Sequence, residues 1–148
     1  MPDTALAHHE FPILGRAYFL GGRASTSLKR ALAEAGVDID TIQRISVAAY
    51  EAEMNVVLHA SSGYLWSDIH ADRVVVGVTD RGPGIRDIPL ALTPGWSSAT
   101  EEARALGFGA GMGLPNIRSQ CDDMDLRSEV GKGVQLTMTF HRGGGHDG

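Results

Sequence analysis

The sequence predicts an α+β fold of two layers, with helices covering one face of a mixed β-sheet. Three observations lead there. Two early stretches carry apolar residues at helical spacing, residues 73–79 hold a run of valines, and two strand-like segments close the chain after a third helix. The resulting order gives the helices a single sheet to pack on: strand, two helices, two strands, an irregular segment, a helix, two strands.

Residues 11–20 are apolar and partly aromatic and end at Gly21-Gly22, which reads as a strand. Ser25 or Ser27 can cap the helix that follows. Leu28, Ala31, Leu32 and Ala35 recur along it at helical spacing, and Gly36 stops it. Asp38 or Asp40 opens a second helix, whose buried stripe is Ile42, Ile45, Ala49, Ala52 and Val56 and which runs to about Ala60. Ser61-Ser62-Gly63 breaks it. Strands at 63–70 and 73–79 are joined by the short link Ala71-Asp72, so they form an antiparallel hairpin. Val74, Val75, Val76 and Val78 mark the second of them as buried.

Residues 80–84 form a glycine-rich turn. Residues 86–107, broken by Pro89, Pro94 and Gly95, show no periodicity. An irregular segment of that length in a compact domain is usually functional, here a lid containing Trp96. A helix over 115–123 starts with Pro115 in its first turn, where the missing N–H costs little. Strands at 124–130 and 134–140 meet at Gly131-Lys132-Gly133. The polar residues 1–10 and the glycine-rich residues 142–148 are expected to be disordered, leaving one domain over 11–141.

Composition narrows the function classes. The chain has 148 residues and a net charge of −5, which does not suit a nucleic-acid binder. No apolar run reaches the length of a membrane span. The lone cysteine, Cys121, excludes an intrachain disulfide, and the first residues lack a signal pattern, so the cytoplasm is the expected compartment.

Three local patterns carry candidate chemistry. Glu51 and Asn55 lie one turn apart on the second helix, hence on one face, and His59 continues the row. An amide oxygen there can ligate Mg²⁺ beside a triphosphate, and a carboxylate can orient or deprotonate a nucleophile. The same row also reads as a solvated polar face. Glu53 points elsewhere and is expected to be solvated. Asp80, at the end of the valine strand, can accept from an exocyclic amine such as that of adenine, and Gly82 and Gly84 let backbone approach a flat ring. A plain glycine turn is the alternative. Gly107, Gly109, Gly111 and Gly113 alternate into a helix, an arrangement that suits phosphate oxygens. No Walker A motif and no Rossmann glycine spacing occurs. The only lysines, Lys29 and Lys132, lie outside any Val-Ala-Ile-Lys context, which excludes a protein kinase of the eukaryotic kind.

In this order the three patterns resemble the N, G1 and G2 boxes of the GHKL ATPases, and the flanking elements extend the resemblance over nearly the whole chain. The chain is most similar to the stand-alone bacterial anti-sigma-factor and switch-protein kinases, and the Gly95-Trp96-Ser97-Ser98 stretch resembles the branch that acts on stressosome proteins.

The resemblance implies the Bergerat α/β sandwich, ATP and Mg²⁺ as ligands, and a serine or threonine hydroxyl of a STAS-domain partner as acceptor. It implies Glu51 as general base and Asn55 as Mg²⁺ ligand. Asp80 would read adenine, with Gly82 and Gly84 lining the nucleoside pocket, and Gly109, Gly111, Gly113 and Leu114 would lie along the phosphates. A sigma factor or a phosphatase is a further possible partner, and a homodimer is compatible. Two other uses fit the same boxes: a non-catalytic ATP-binding module that sequesters its partner, and a detached histidine-kinase catalytic domain. One departure stands out. Val134 occupies the place after the Gly-Lys-Gly turn where the family usually has threonine, so a hydroxyl beside Asp80 is missing.

Overall fold

The computed structural model describes residues 5–85, 87–93 and 113–142. Five strands form one sheet: β1 (Ala7–Leu14), β2 (Ser62–Ile69), β3 (Arg73–Arg81), β4 (Asp123–Glu129) and β5 (Gly133–His141), in the spatial order β1-β2-β3-β5-β4. All four pairings among the described strands are antiparallel, where a mixed sheet was the expectation. Helices α1 (Arg23–Glu34) and α2 (Ile39–His59) pack on one face of the sheet, and α4 (Gly113–Gln120) packs beside α2. A short helix, α3 (Ile88–Ala91), interrupts the stretch expected to be irregular.

The α+β plan follows from the two periodicities. Every member of the α2 stripe, Ile42, Ile45, Ala49, Ala52 and Val56, is buried against Leu65, Ile69, Val74, Val76, Val78, Leu136, Met138 and Phe140 of the sheet. Asp38 caps α2 as anticipated, its side chain accepting from Thr41 N at 3.1 Å. Arg44 fastens the start of α2 to the far sheet edge. Its guanidinium donates to Gln120 O, Asp122 Oδ2 and His141 O, and it lies over the Phe140 ring. On the open face of the sheet the Trp66 indole lies over Gly77 and leaves no room there for a Cβ.

Four expectations fail around the first elements. Strand β1 spans Ala7–Leu14 and not 11–20, so residues 7–10, expected to be disordered, are paired with β2. Beyond it Gly15 packs against the Ala60 main chain and Arg16 turns into the left-handed region at φ 64°. Residues Tyr18–Leu20 then form a single 3-10 turn. Helix α1 begins at Arg23, with Gly22 at the N-cap and neither Ser25 nor Ser27 in that place. Its cap comes from elsewhere in the chain: the Glu53 carboxylate accepts from Gly22 N at 2.9 Å, Ala24 N at 3.2 Å and Ser25 N at 2.8 Å. Glu53, expected to be solvated, is only 2% exposed. Three main-chain N–H groups at a helix N-terminus replace its water and complement its charge.

Candidate functional site

Helix α2 supplies the first cluster. Glu51 and Asn55 share one face and are half-buried. Gly113, the first residue of α4, stands against them. A Cβ built on Gly113 would lie 3.2 Å from Asn55 Oδ1, a tight approach, and 3.5 Å from Glu51 Oε1, an ordinary contact, so position 113 adjoins both groups. An acid, an amide and the opening turn of an eight-residue helix thus converge at one place. Leu114, next along α4, is partly buried against the core. Gly109, Gly111 and the segment with Trp96 lie outside the described residues.

The second cluster surrounds Asp80 near the end of β3. Its Oδ1 accepts from Val134 N at 3.0 Å, so the residue that lacks the usual hydroxyl still contributes its main-chain donor. Burial pushes the Asp80 carboxyl above its ordinary value, and the Val134 N–H works against that shift. A Cβ on Gly63 would touch both Asp80 Cβ and Val56 Cγ1 at 3.1 Å, which places Asp80 beside α2 at the residue following Asn55.

The glycines of the 80–84 turn meet protein. A Cβ on Gly82 would lie 3.0 Å from Ala60 Cα at the end of α2. Gly84 has φ +78°, and its Cβ would sit 2.7 Å from Glu129 O. Ile85 N donates to Ser128 Oγ and Gly131 N to Pro83 O, so the turn is tied to the β4–β5 connection. Close backbone packing therefore accounts for both glycines.

His59, the third member of the Glu51–Asn55 row, is partly buried. Desolvation, aided by the Arg16 guanidinium, holds its pKa below the ordinary 6.5. Above pH 6.5 the imidazole is neutral in both folded and unfolded chains. Below it the unfolded chain takes up the proton first, so stability contributed by neutral His59 is lost as pH falls from 6.5 towards the folded value. His8 does not share this window: hydrogen bonds with Glu10 and Asp68 raise its pKa, so its contribution is fully present below pH 6.5 and is lost only as pH rises above that value. The expected result is thus read as a difference: the urea stability of the parent minus that of His59→Gln declines below pH 6.5. A flat difference would remove the assignment.

The residue that sequence reasoning missed is Glu53, and a signal was present. Glu53 follows Ala49 by four positions and precedes Val56 by three, so it sits on the apolar stripe of α2. An acid on a buried stripe is informative because it must find partners.

The donors fit a nucleotide with a hard cation. Among the described residues no cluster of three or more His, Cys, Asp or Glu side chains is arranged to hold a metal. The single amide and carboxylate of Asn55 and Glu51 suit an ion such as Mg²⁺, which retains water and phosphate oxygens. No described helix is long and apolar enough to cross a membrane.

Comparisons with known proteins bear on the family and the fold. Residues 22–140 match the model of the histidine kinase-like ATPase domain. The chain is 29% identical over 125 residues to the anti-sigma F factor of Thermoanaerobacter sp. (strain X514), covering 81% of this chain and 84% of that protein. It is 32% identical over 97 residues to the serine/threonine-protein kinase RsbT of Bacillus subtilis (strain 168), covering 63% of this chain and 67% of that one. Among solved structures, the RsbU and RsbW domains of Rv1364c from Mycobacterium tuberculosis superpose with a TM-score of 0.61 at 18% identity, over 90% of this chain and 32% of the longer one. That likeness bears on the fold alone. An acid–amide pair on α2, a half-buried aspartate at the end of β3 and a matched span that holds both lead to one conclusion: the chain belongs to the family of histidine kinase-like ATPase domains.

Proposed function

We propose that the chain binds ATP with Mg²⁺ and transfers the γ-phosphate to a serine or threonine hydroxyl of a STAS-domain protein, as a kinase of a cytoplasmic bacterial partner-switching pathway. The observation that carries this reading is the convergence of Glu51, Asn55 and Gly113. Asn55 would hold the metal through its amide oxygen, and the ion, when bound, supplies charge neutralisation on the triphosphate. Gly113, with Gly109 and Gly111 before it, would present main-chain N–H groups to phosphate oxygens at the start of α4, next to Leu114. The Asp80 oxygen not engaged by Val134 is the acceptor for the adenine amine. Gly82 and Gly84 fix the wall of the base pocket. Glu51 orients the partner hydroxyl and takes its proton, so the chain's contribution is position and a placed base.

The relatives named anti-sigma F factor support a second use of the same site. There the nucleotide-loaded domain holds a sigma factor, or a phosphatase, without transferring phosphate. Neither use involves nucleic acid or a membrane, and both are compatible with a homodimer.

Calorimetric titration with ATP, with and without Mg²⁺, tests the common core. The parent should bind in both conditions and more tightly with the metal, whereas Asn55→Ala should lose the metal-dependent gain. An Asn55→Ala variant that responds to Mg²⁺ as the parent does would sink the ligand assignment. Labelled ATP with a purified STAS-domain protein then separates transfer from sequestration.

A further inference from the structure

The start of α1 carries a surface that the nucleotide site does not use. A groove of about 530 Å³ is lined by Gly21, Gly22, Arg23, Thr26, Ser27 and Tyr50. Immediately before it Phe19 is 91% exposed, and Leu20 and Tyr50 are exposed beside it. A large aromatic held almost wholly in water is the residue type that anchors interfaces.

The exposed charges on the segment that leads into and lines the groove are basic, with the Glu53 carboxylate buried beneath it. Residues 15–33 contain Arg16, Arg23, Lys29 and Arg30 and no acid, in a chain whose acids outnumber its bases by 18 to 13. Arg23, Thr26, Ser27 and Arg30 share one face of α1, so the second arginine extends the groove by a turn. All four basic residues are exposed, and none forms an ion pair with another described residue. Net composition hides this local excess.

The floor of the groove is backed by buried contacts. Gly22 has φ +99° and Gly21 presses on the Met54 thioether. The amides of Gly22, Ala24 and Ser25 are held from beneath by Glu53. A surface already in place needs little ordering when a partner arrives. Tyr50 precedes Glu51 by one position, about 100° around the helix, so the groove and the acid–amide row face different directions.

We propose that this surface, formed by the 3-10 turn, the first turns of α1 and Tyr50, docks an acidic segment of a partner protein that presents an apolar side chain. The charge complementarity steers the segment and the exposed aromatics receive its apolar residue. The proposal rests on the partner-binding half of the function above and not on phosphate transfer.

The test uses two synthetic peptides, one of repeating Glu-Glu-Leu-Phe units and its Lys-Lys-Leu-Phe counterpart, titrated into the isotope-labelled full chain. The expected result is that only the acidic peptide shifts the amide resonances of Gly21, Gly22, Arg23 and Tyr50. Its affinity should fall with salt and drop by about tenfold in Arg23→Glu/Arg30→Glu, with a comparable loss in Phe19→Ser. Four outcomes overturn it: no binding by the acidic peptide, equal binding by the basic one, the same footprint produced by a poly-dT oligonucleotide, or concentration-dependent dimerisation that Phe19→Ser abolishes. ATP affinity is measured on the same samples. Peptide binding with no ATP binding strikes the nucleotide reading and leaves the docking surface standing. The converse strikes the surface alone.

Discussion

Glu51→Ala and the shape-preserving Glu51→Gln should keep ATP binding and lose phosphate transfer to the partner hydroxyl by about 10² to 10⁴-fold, the usual worth of a placed general base. The carboxylate stands with Asn55 against the first residue of α4, where an attacking hydroxyl and the phosphates would have to meet. Glutamine keeps the volume and one acceptor oxygen but cannot take a proton. The two variants therefore divide the loss: a deficit shared by both belongs to proton acceptance, and any extra deficit in alanine belongs to orientation. Transfer of labelled phosphate, measured under single-turnover conditions beside nucleotide affinity, reads each. Wild-type rates in either variant would take Glu51 out of the chemistry.

The second large effect concerns stability. Glu53→Ala should destabilise the fold by about 3 to 5 kcal/mol, because hydrogen bonds to a charged group contribute about 1.5 to 3 kcal/mol each and are not additive. The substitution strands the N–H groups of Gly22, Ala24 and Ser25, none of which has an intrahelical acceptor. Glu53→Gln should also lose stability, since its amide nitrogen is a donor turned on donors. Urea unfolding with an unchanged m-value checks both. A loss below about 1 kcal/mol, the scale of one ordinary hydrogen bond, would show that water replaces the carboxylate.

These two acids show where sequence reasoning reached and where it stopped. Spacing alone put Glu51 and Asn55 on one face, and the valines of β3 and the stripe of α2 announced the layers. What periodicity could not supply was any bond between distant parts of the chain. The start of α1 is fixed by a residue about thirty positions later, so the local serines misdirect. Beyond β1, Gly15 packs against the Ala60 main chain where a Cβ would not fit, a contact with no local signal, and residues 18–20 are apolar enough to pass for strand. The antiparallel direction of the β1–β2 and β3–β5 pairings likewise depends on how segments far apart in sequence meet. Asp80 was legible as a carboxylate at a strand end, but its bond with Val134 N–H belongs to a turn that only folding brings near.

Trp66 and Gly77 pair directly across β2 and β3, the ring filling the space that a side chain would need. The two positions are therefore coupled by volume. A bulkier residue at 77 is compatible only with a smaller one at 66, and alignments of near relatives should show the pair drifting together or not at all.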